Sequence, residues 1–128
     1  MRPVVLLVED HQDSRQMYAE FMGSNYEVLE AGTGTEALQL MSDRTPHVVV
    51  TDVSLPDIDG FELIERMRRD SRLAAVPVIC LSGYGGHAHE ERAKELQCER
   101  LLQKPCLPDT LTHAVAAVLS TPRRPPPP

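Results

Sequence analysis

Val48-Val49-Val50-Thr51-Asp52 is a run of β-branched residues that ends in a single carboxylate. Three further runs share the pattern. Val4-Val5-Leu6-Leu7-Val8 leads into Glu9-Asp10, Val78-Ile79-Cys80-Leu81 into Ser82, and Leu101-Leu102-Gln103 into Lys104-Pro105. Short runs of continuous apolar character fit strands buried on both faces rather than helices. The strand candidates are residues 3–8, 26–30, 47–51, 77–81 and 100–103. Residues 26–30 alternate more and suit a strand near an edge. Pro77 stands where a strand can begin without losing a ladder donor.

Helical signals fill the intervals. Asp13 is the expected cap of a helix whose apolar stripe is Met17, Tyr18, Phe21 and Met22, with Gly23 closing it. Thr33-Gly34-Thr35-Glu36 has capping-box spacing ahead of Ala37, Leu38 and Met41. Asp59-Gly60-Phe61-Glu62 repeats that arrangement ahead of Leu63, Ile64 and Met67. Residues 87–97 are more polar, with Ala93 and Leu96 as the inward positions. Pro108 suits the start of a last helix, on which Leu111, Ala114, Val115, Val118 and Leu119 form one stripe. Strands alternating with helices predict an α/β fold with a parallel sheet covered on both faces.

At 128 residues the chain reads as one domain over residues 1–120, able to bury roughly two thirds of its unfolded surface. Residues 121–128 lead through Arg123-Arg124 into four prolines and read as a disordered tail or linker, or as a proline-rich docking motif. A net charge of −6 argues against a nucleic-acid-binding surface on this domain. No stretch has the length and apolarity of a membrane span, and the N-terminus lacks a signal-peptide pattern. Cys80, Cys98 and Cys106 form no C-x-x-C pair, which predicts a reducing, cytoplasmic location.

If the four runs lie parallel in one sheet, their tips meet at its carboxyl edge, where open α/β sheets place their sites. The gathered groups are the carboxylates of Glu9, Asp10 and Asp52, the Ser82 hydroxyl and the Lys104 ammonium. Three carboxylates together repel, and a bound Mg²⁺ removes the conflict through oxygen ligation. Phosphoryl transfer demands positioning and neutralisation of the transferring group. Asp52 can serve as the nucleophile, with Lys104 on one phosphoryl oxygen and Ser82 donating to another. His11 reads as a loop residue. His87 and His89 at i, i+2 point apart on a helix and read as bland positions rather than as a metal pair. Gly32-Thr33-Gly34 reads as the turn into the capping box.

The chain resembles the receiver domain of two-component response regulators over about residues 3–120. The resemblance is carried by Glu9-Asp10, the stretch from Asp52 through Pro56 to Gly60, Leu81-Ser82-Gly83 and Lys104-Pro105. It implies a flavodoxin-like (βα)5 fold with strand order 2-1-3-4-5. It further implies that Asp52 accepts a phosphoryl group from the phosphohistidine of a histidine kinase or phosphotransfer domain. Asp10, Asp52 and the Ser54 carbonyl would bind Mg²⁺, with Glu9 acting through water. The Lys104-Pro105 bond would be cis, aiming the lysine into the site. The module would catalyse only its own phosphorylation and dephosphorylation, shifting an inactive–active equilibrium read by an output domain or partner protein.

Departures from the family pattern are as informative. Receivers that switch through an aromatic carry it three residues before the lysine, where this chain has Leu101. Leu101 is a smaller follower of Ser82, which keeps open a second reading, a pseudo-receiver that binds partners without switching. Cys106 stands where similar proteins often place Phe and is expected to be a small buried residue. Tyr84, two residues after Ser82, either shields the acyl phosphate from water or lies flat on the surface. A phospho-aspartate phosphatase of the haloacid-dehalogenase type needs a second Asp two residues after the nucleophile, and that residue is Ser54. The phrase Leu81-Ser82-Gly83-Tyr84-Gly85 resembles receivers attached to hybrid histidine kinases.

Overall fold

Branched side chains in three of the apolar runs favour extended backbone, and those three are buried from end to end, whereas in the fourth Leu101 and Leu102 are half-buried and Gln103 is exposed. A computed structural model describes residues 2–83 and 86–121. Strands β1 (Val4–Val8), β2 (Glu27–Ala31), β3 (Val48–Asp52), β4 (Val78–Ser82) and β5 (Arg100–Gln103) form one parallel sheet in the order β2-β1-β3-β4-β5. Between them run α1 (Gln12–Met22), α2 (Gly34–Asp43), α3 (Gly60–Arg69) and α4 (Gly86–Glu95), with α5 (Pro108–Ser120) last. This is the flavodoxin-like (βα)5 arrangement. Residues 26–30 do supply an edge strand, displaced by one residue.

Period-two alternation explains why the runs are apolar throughout. Leu6 and Val8 join Val49, Val78 and Cys80 on one face, under Ala37 and Met41 of α2, Leu63, Ile64 and Met67 of α3, and Ala93 of α4. Val5, Leu7, Val48, Val50, Ile79 and Leu81 point the other way, onto Tyr18 and Met22 of α1 and Leu111, Val115 and Val118 of α5. The register then levels the tips: Val8 lies beside Thr51, Asp52 beside Leu81, and Ser82 beside Gln103.

Two caps form as expected. The Thr33 side chain accepts from Glu36 N–H and the Asp59 side chain from Glu62 N–H. The α1 cap is a correction. His11, not Asp13, is the N-cap, its Nδ1 accepting from Ser14 N–H at 3.3 Å, and Asp13 falls in the first turn. A carboxylate there still complements the helix dipole. The α1 stripe is also narrower than expected. Tyr18 and Met22 are buried, whereas Met17 and Phe21 are 45% and 48% exposed. Tyr18 decides the orientation, because its buried hydroxyl donates to the Cys106 carbonyl at 2.7 Å.

Gly60 allows the β3–α3 loop to close on itself. A Cβ there would lie 2.2 Å from the Asp52 carbonyl oxygen, and Gly60 N–H donates to the Val53 carbonyl at 2.7 Å. The Cys80 and Cys98 sulfurs approach to 3.3 Å, and the hydrogen bond with Cys98 together with burial pushes the Cys80 thiol well up. Cys106 is buried, as expected. No helix among the described residues is long and apolar enough to cross a membrane. Tyr84 and the proline-rich residues after Thr121 lie outside the described residues.

Candidate functional site

The site grows from the ends of β1, β3, β4 and β5. Glu9 follows β1 and is fully buried, Asp10 beside it is exposed, and Asp52 closes β3 at 5% exposure. Carboxylate oxygens of Glu9, Asp10 and Asp52 all lie within 4.8 Å of one another. Lys104, one residue past β5, reaches across the edge. Its Nζ donates to Glu9 Oε1 at 2.8 Å and to Asp52 Oδ2 at 3.0 Å. Lys104 N–H donates to the Ser82 carbonyl, and the Lys104-Pro105 peptide bond is cis.

The charges are strongly unequal. Burial raises Asp52, the negative charge of Glu9 raises it further, and Lys104 offsets only part, leaving Asp52 at about 6. Burial pushes Glu9 up too, but the Lys104 hydrogen bond and the His11 N–H outweigh it, so Glu9 lies below the ordinary glutamate value. Burial works against the Lys104 ammonium, and its bonds to Glu9 and Asp52 more than compensate, holding its pKa up. Of the two buried carboxylates, Asp52 is therefore the more basic. One ammonium facing three carboxylates leaves uncompensated negative charge on hard oxygen donors, a donor set that fits a divalent cation such as Mg²⁺.

The loop that bears Asp52 is fastened at a second point. Asp57 accepts from Gly34 N–H at 3.0 Å and Thr35 N–H at 2.9 Å, and also from the Thr35 hydroxyl. The Thr35 bond leads the causes that hold Asp57 well below the usual carboxylate range. The carboxylate thus clamps the β3–α3 loop to the start of α2, a position the helix dipole favours for an anion. Ser54 lies exposed in the same loop.

Ser82 tops β4, 7% exposed, and its Oγ lies 2.7 Å from Nδ1 of His89 on α4. The His89 ring stands edge-on to Phe61 of α3, with centroids 5.3 Å apart. Leu101 is half-buried on β5 and, with Ser82 and His89, lines a cavity of about 470 Å³. Reading His89 as a bland position is therefore a correction. The two histidines do point apart: His87 is exposed beside Glu90 and Glu91, while His89 faces the site. A usable signal was present, since His89 precedes the inward Ala93 by four residues and so extends its stripe. His11 is likewise more than a loop residue, serving as the α1 cap and donating its N–H to Glu9 Oε2 at 3.1 Å.

The response regulator receiver domain family matches residues 5–116. The polar-differentiation response regulator DivK of Brucella ovis is 29% identical over 106 residues, which span 82% of this chain and 86% of that protein. Among solved structures, the chemotaxis response regulator CheY4 of Vibrio cholerae superposes with a TM-score of 0.85 at 28% identity, covering 92% of this chain and 99% of that one. The non-phosphorylated HemR receiver domain of Leptospira biflexa gives 0.88 at 28% identity, covering 96% and 98%.

Proposed function

The chain belongs to the response regulator receiver domain family, and from that membership we propose that it is the phosphoacceptor module of a two-component phosphorelay, with Asp52 as acceptor. The observation that carries this reading is the buried Asp52 carboxylate, raised to about 6 and held 3.0 Å from Lys104 Nζ at the carboxyl edge of the sheet. A more basic carboxylate is a better nucleophile, and the lysine keeps it oriented.

In the transfer, an Asp52 oxygen attacks the phosphorus of a phosphohistidine presented by a histidine kinase or phosphotransfer protein. An O–P bond forms as the N–P bond breaks, and the electron pair departs with the imidazole. Lys104 follows the charge from the carboxylate to a phosphoryl oxygen, and the Ser82 hydroxyl donates to another. Asp10, Asp52 and the Ser54 carbonyl, with Glu9 through water, would hold Mg²⁺, which would supply charge neutralisation there. Residues 1–120 form the receiver unit, and an output domain or partner protein reads its state. A shielding role for Tyr84 predicts faster hydrolysis of the acyl phosphate in Tyr84→Ala, and an unchanged or slower rate sinks it.

The test is intact mass after incubation with Mg²⁺ and a small acyl phosphate, with Asp52→Asn alongside. One added phosphoryl group that needs Mg²⁺ and is absent from Asp52→Asn is the expected result. No adduct, with Mg²⁺ binding confirmed and rapid hydrolysis excluded, overturns the reading. It would move the chain to the partner-binding pseudo-receiver, which the half-buried Leu101 at the usual aromatic position favours.

A further inference from the structure

A serine hydroxyl has one proton to give. If Ser82 is to donate to a phosphoryl oxygen on Asp52, any acceptor that holds that proton beforehand must be released. Among the described residues, the group at hydrogen-bond distance from Ser82 Oγ is His89 Nδ1, at 2.7 Å. His89 belongs to the first half of α4, whose other tethers lie toward its far end, where Arg68 of α3 donates to the carbonyls of Leu96 and Gln97 just past the helix. Ala93 is the one buried residue of α4, and Arg92 bridges to Glu65 of α3 at 2.6 Å on a partly exposed surface. The ring is steadied by Phe61 and flanks the cavity of about 470 Å³ beside Leu101. The imidazole therefore has room to swing once its partner leaves, and Leu101 gives no aromatic ring to follow the hydroxyl.

We propose that His89 is a positioning residue that holds the Ser82 hydroxyl in the unphosphorylated state, so that the phosphoryl group and α4 compete for one proton. The inference rests on Asp52 as acceptor. The Ser82 hydroxyl donates to Nδ1 in the resting protein, and the ring carries its own proton on Nε2. When a phosphoryl oxygen takes the hydroxyl, the link from β4 to α4 is cut and α4 loosens. His89 thus couples the hydroxyl to α4 by release, where a β5 aromatic would follow it inward.

Competition of this kind obeys linkage, because removing the resting-state partner must tighten whatever binds the released hydroxyl. The probe is beryllofluoride with Mg²⁺, an acyl-phosphate mimic, titrated by NMR into the whole chain. A neutral hydrogen bond sets the scale, so His89→Ala should tighten beryllofluoride by about fivefold. In a Ser82→Ala background the same substitution should change nothing. His89→Asn, which keeps a polar atom at the δ position, should return the affinity toward wild type. The ¹⁵N spectrum of the imidazole in the resting protein should show Nε2 protonated and Nδ1 accepting.

Equal effects of His89→Ala in both backgrounds, or weaker binding, overturn the proposal while leaving Asp52 as acceptor intact. So does a resting ring protonated at Nδ1. Failure of the wild-type chain to bind beryllofluoride at all overturns the reading of Asp52 and this inference with it.

Discussion

Helices α3 and α4 each run for ten residues and cover the same face of the sheet, yet they are held very differently. α3 buries Gly60, Phe61, Leu63, Ile64 and Met67, whereas α4 buries Ala93 alone. Arg68 of α3 donates to the carbonyls of Ala74 and Val76 beyond its own helix, and also to those of Leu96 and Gln97, so it holds the far end of α4 but not the end that bears His89. The acceptor loop, anchored by α3 and by Asp57, is a fixed platform. The α4 side, with His89, Leu101 and the cavity, is more sparsely packed. Local opening draws on regions with few buried apolar contacts, so the start of α4 is expected to open before α3.

The largest effect that could break this contrast is in the core. Ile64→Ala on α3 should cost about 3 kcal/mol, whereas Ala93→Gly on α4 should cost about 1 kcal/mol. Urea unfolding of both variants checks this, and equal losses would abolish the distinction.

Next in size is the charge held on the platform. Folding raises Asp52 from 3.8 to about 6, so across that window the native state binds a proton that the unfolded chain does not. Stability then falls as pH rises through the window, and the loss is complete above it. In EDTA, Asp52→Asn should be up to about 3 kcal/mol more stable than wild type near pH 8, with the gain disappearing toward about pH 4. Denaturation at both pH values measures it, and added Mg²⁺ should shrink the difference. A gain independent of pH would remove the electrostatic cause.

A smaller change sharpens the other side. Leu101→Phe fills part of the cavity against α4 and should add about 0.5–1 kcal/mol, with slower amide exchange in α4 and none in α3. Smallest is Arg92→Ala, which removes a half-exposed bridge to Glu65 and should cost below about 1 kcal/mol. A larger cost would make that ion pair, not the sparse core, the main tether of α4.

The strands and the meeting of Glu9, Asp10, Asp52 and Lys104 were legible because a sheet buried on both faces needs apolar runs, and such runs end at one edge. Resemblance supplied the strand order, which periodicity alone does not encode. α1 was harder to read. Met17–Phe21 and Tyr18–Met22 are adjacent i, i+4 pairs of equal apolarity, and a long-range hydrogen bond from Tyr18 to Cys106 selects between them. The same holds for His11, a weak cap by residue type that is placed by Glu9 accepting its N–H. His89 escaped because its partner is a strand residue, and no helical spacing reveals which side chain a strand tip will meet.

The clamp made by Asp57 also bears on chemical selectivity. A phosphodonor reaching the β3–α3 loop meets three aspartates of one kind, Asp52, Asp57 and Asp59. Asp59 accepts from Glu62 N–H as the α3 cap. Both oxygens of Asp57 accept from the start of α2, which drains the basicity that attack on phosphorus requires. With Asp57 and Asp59 both engaged at helix starts, Asp52 is the one of the three whose carboxylate is raised, which suits the acceptor role proposed for it.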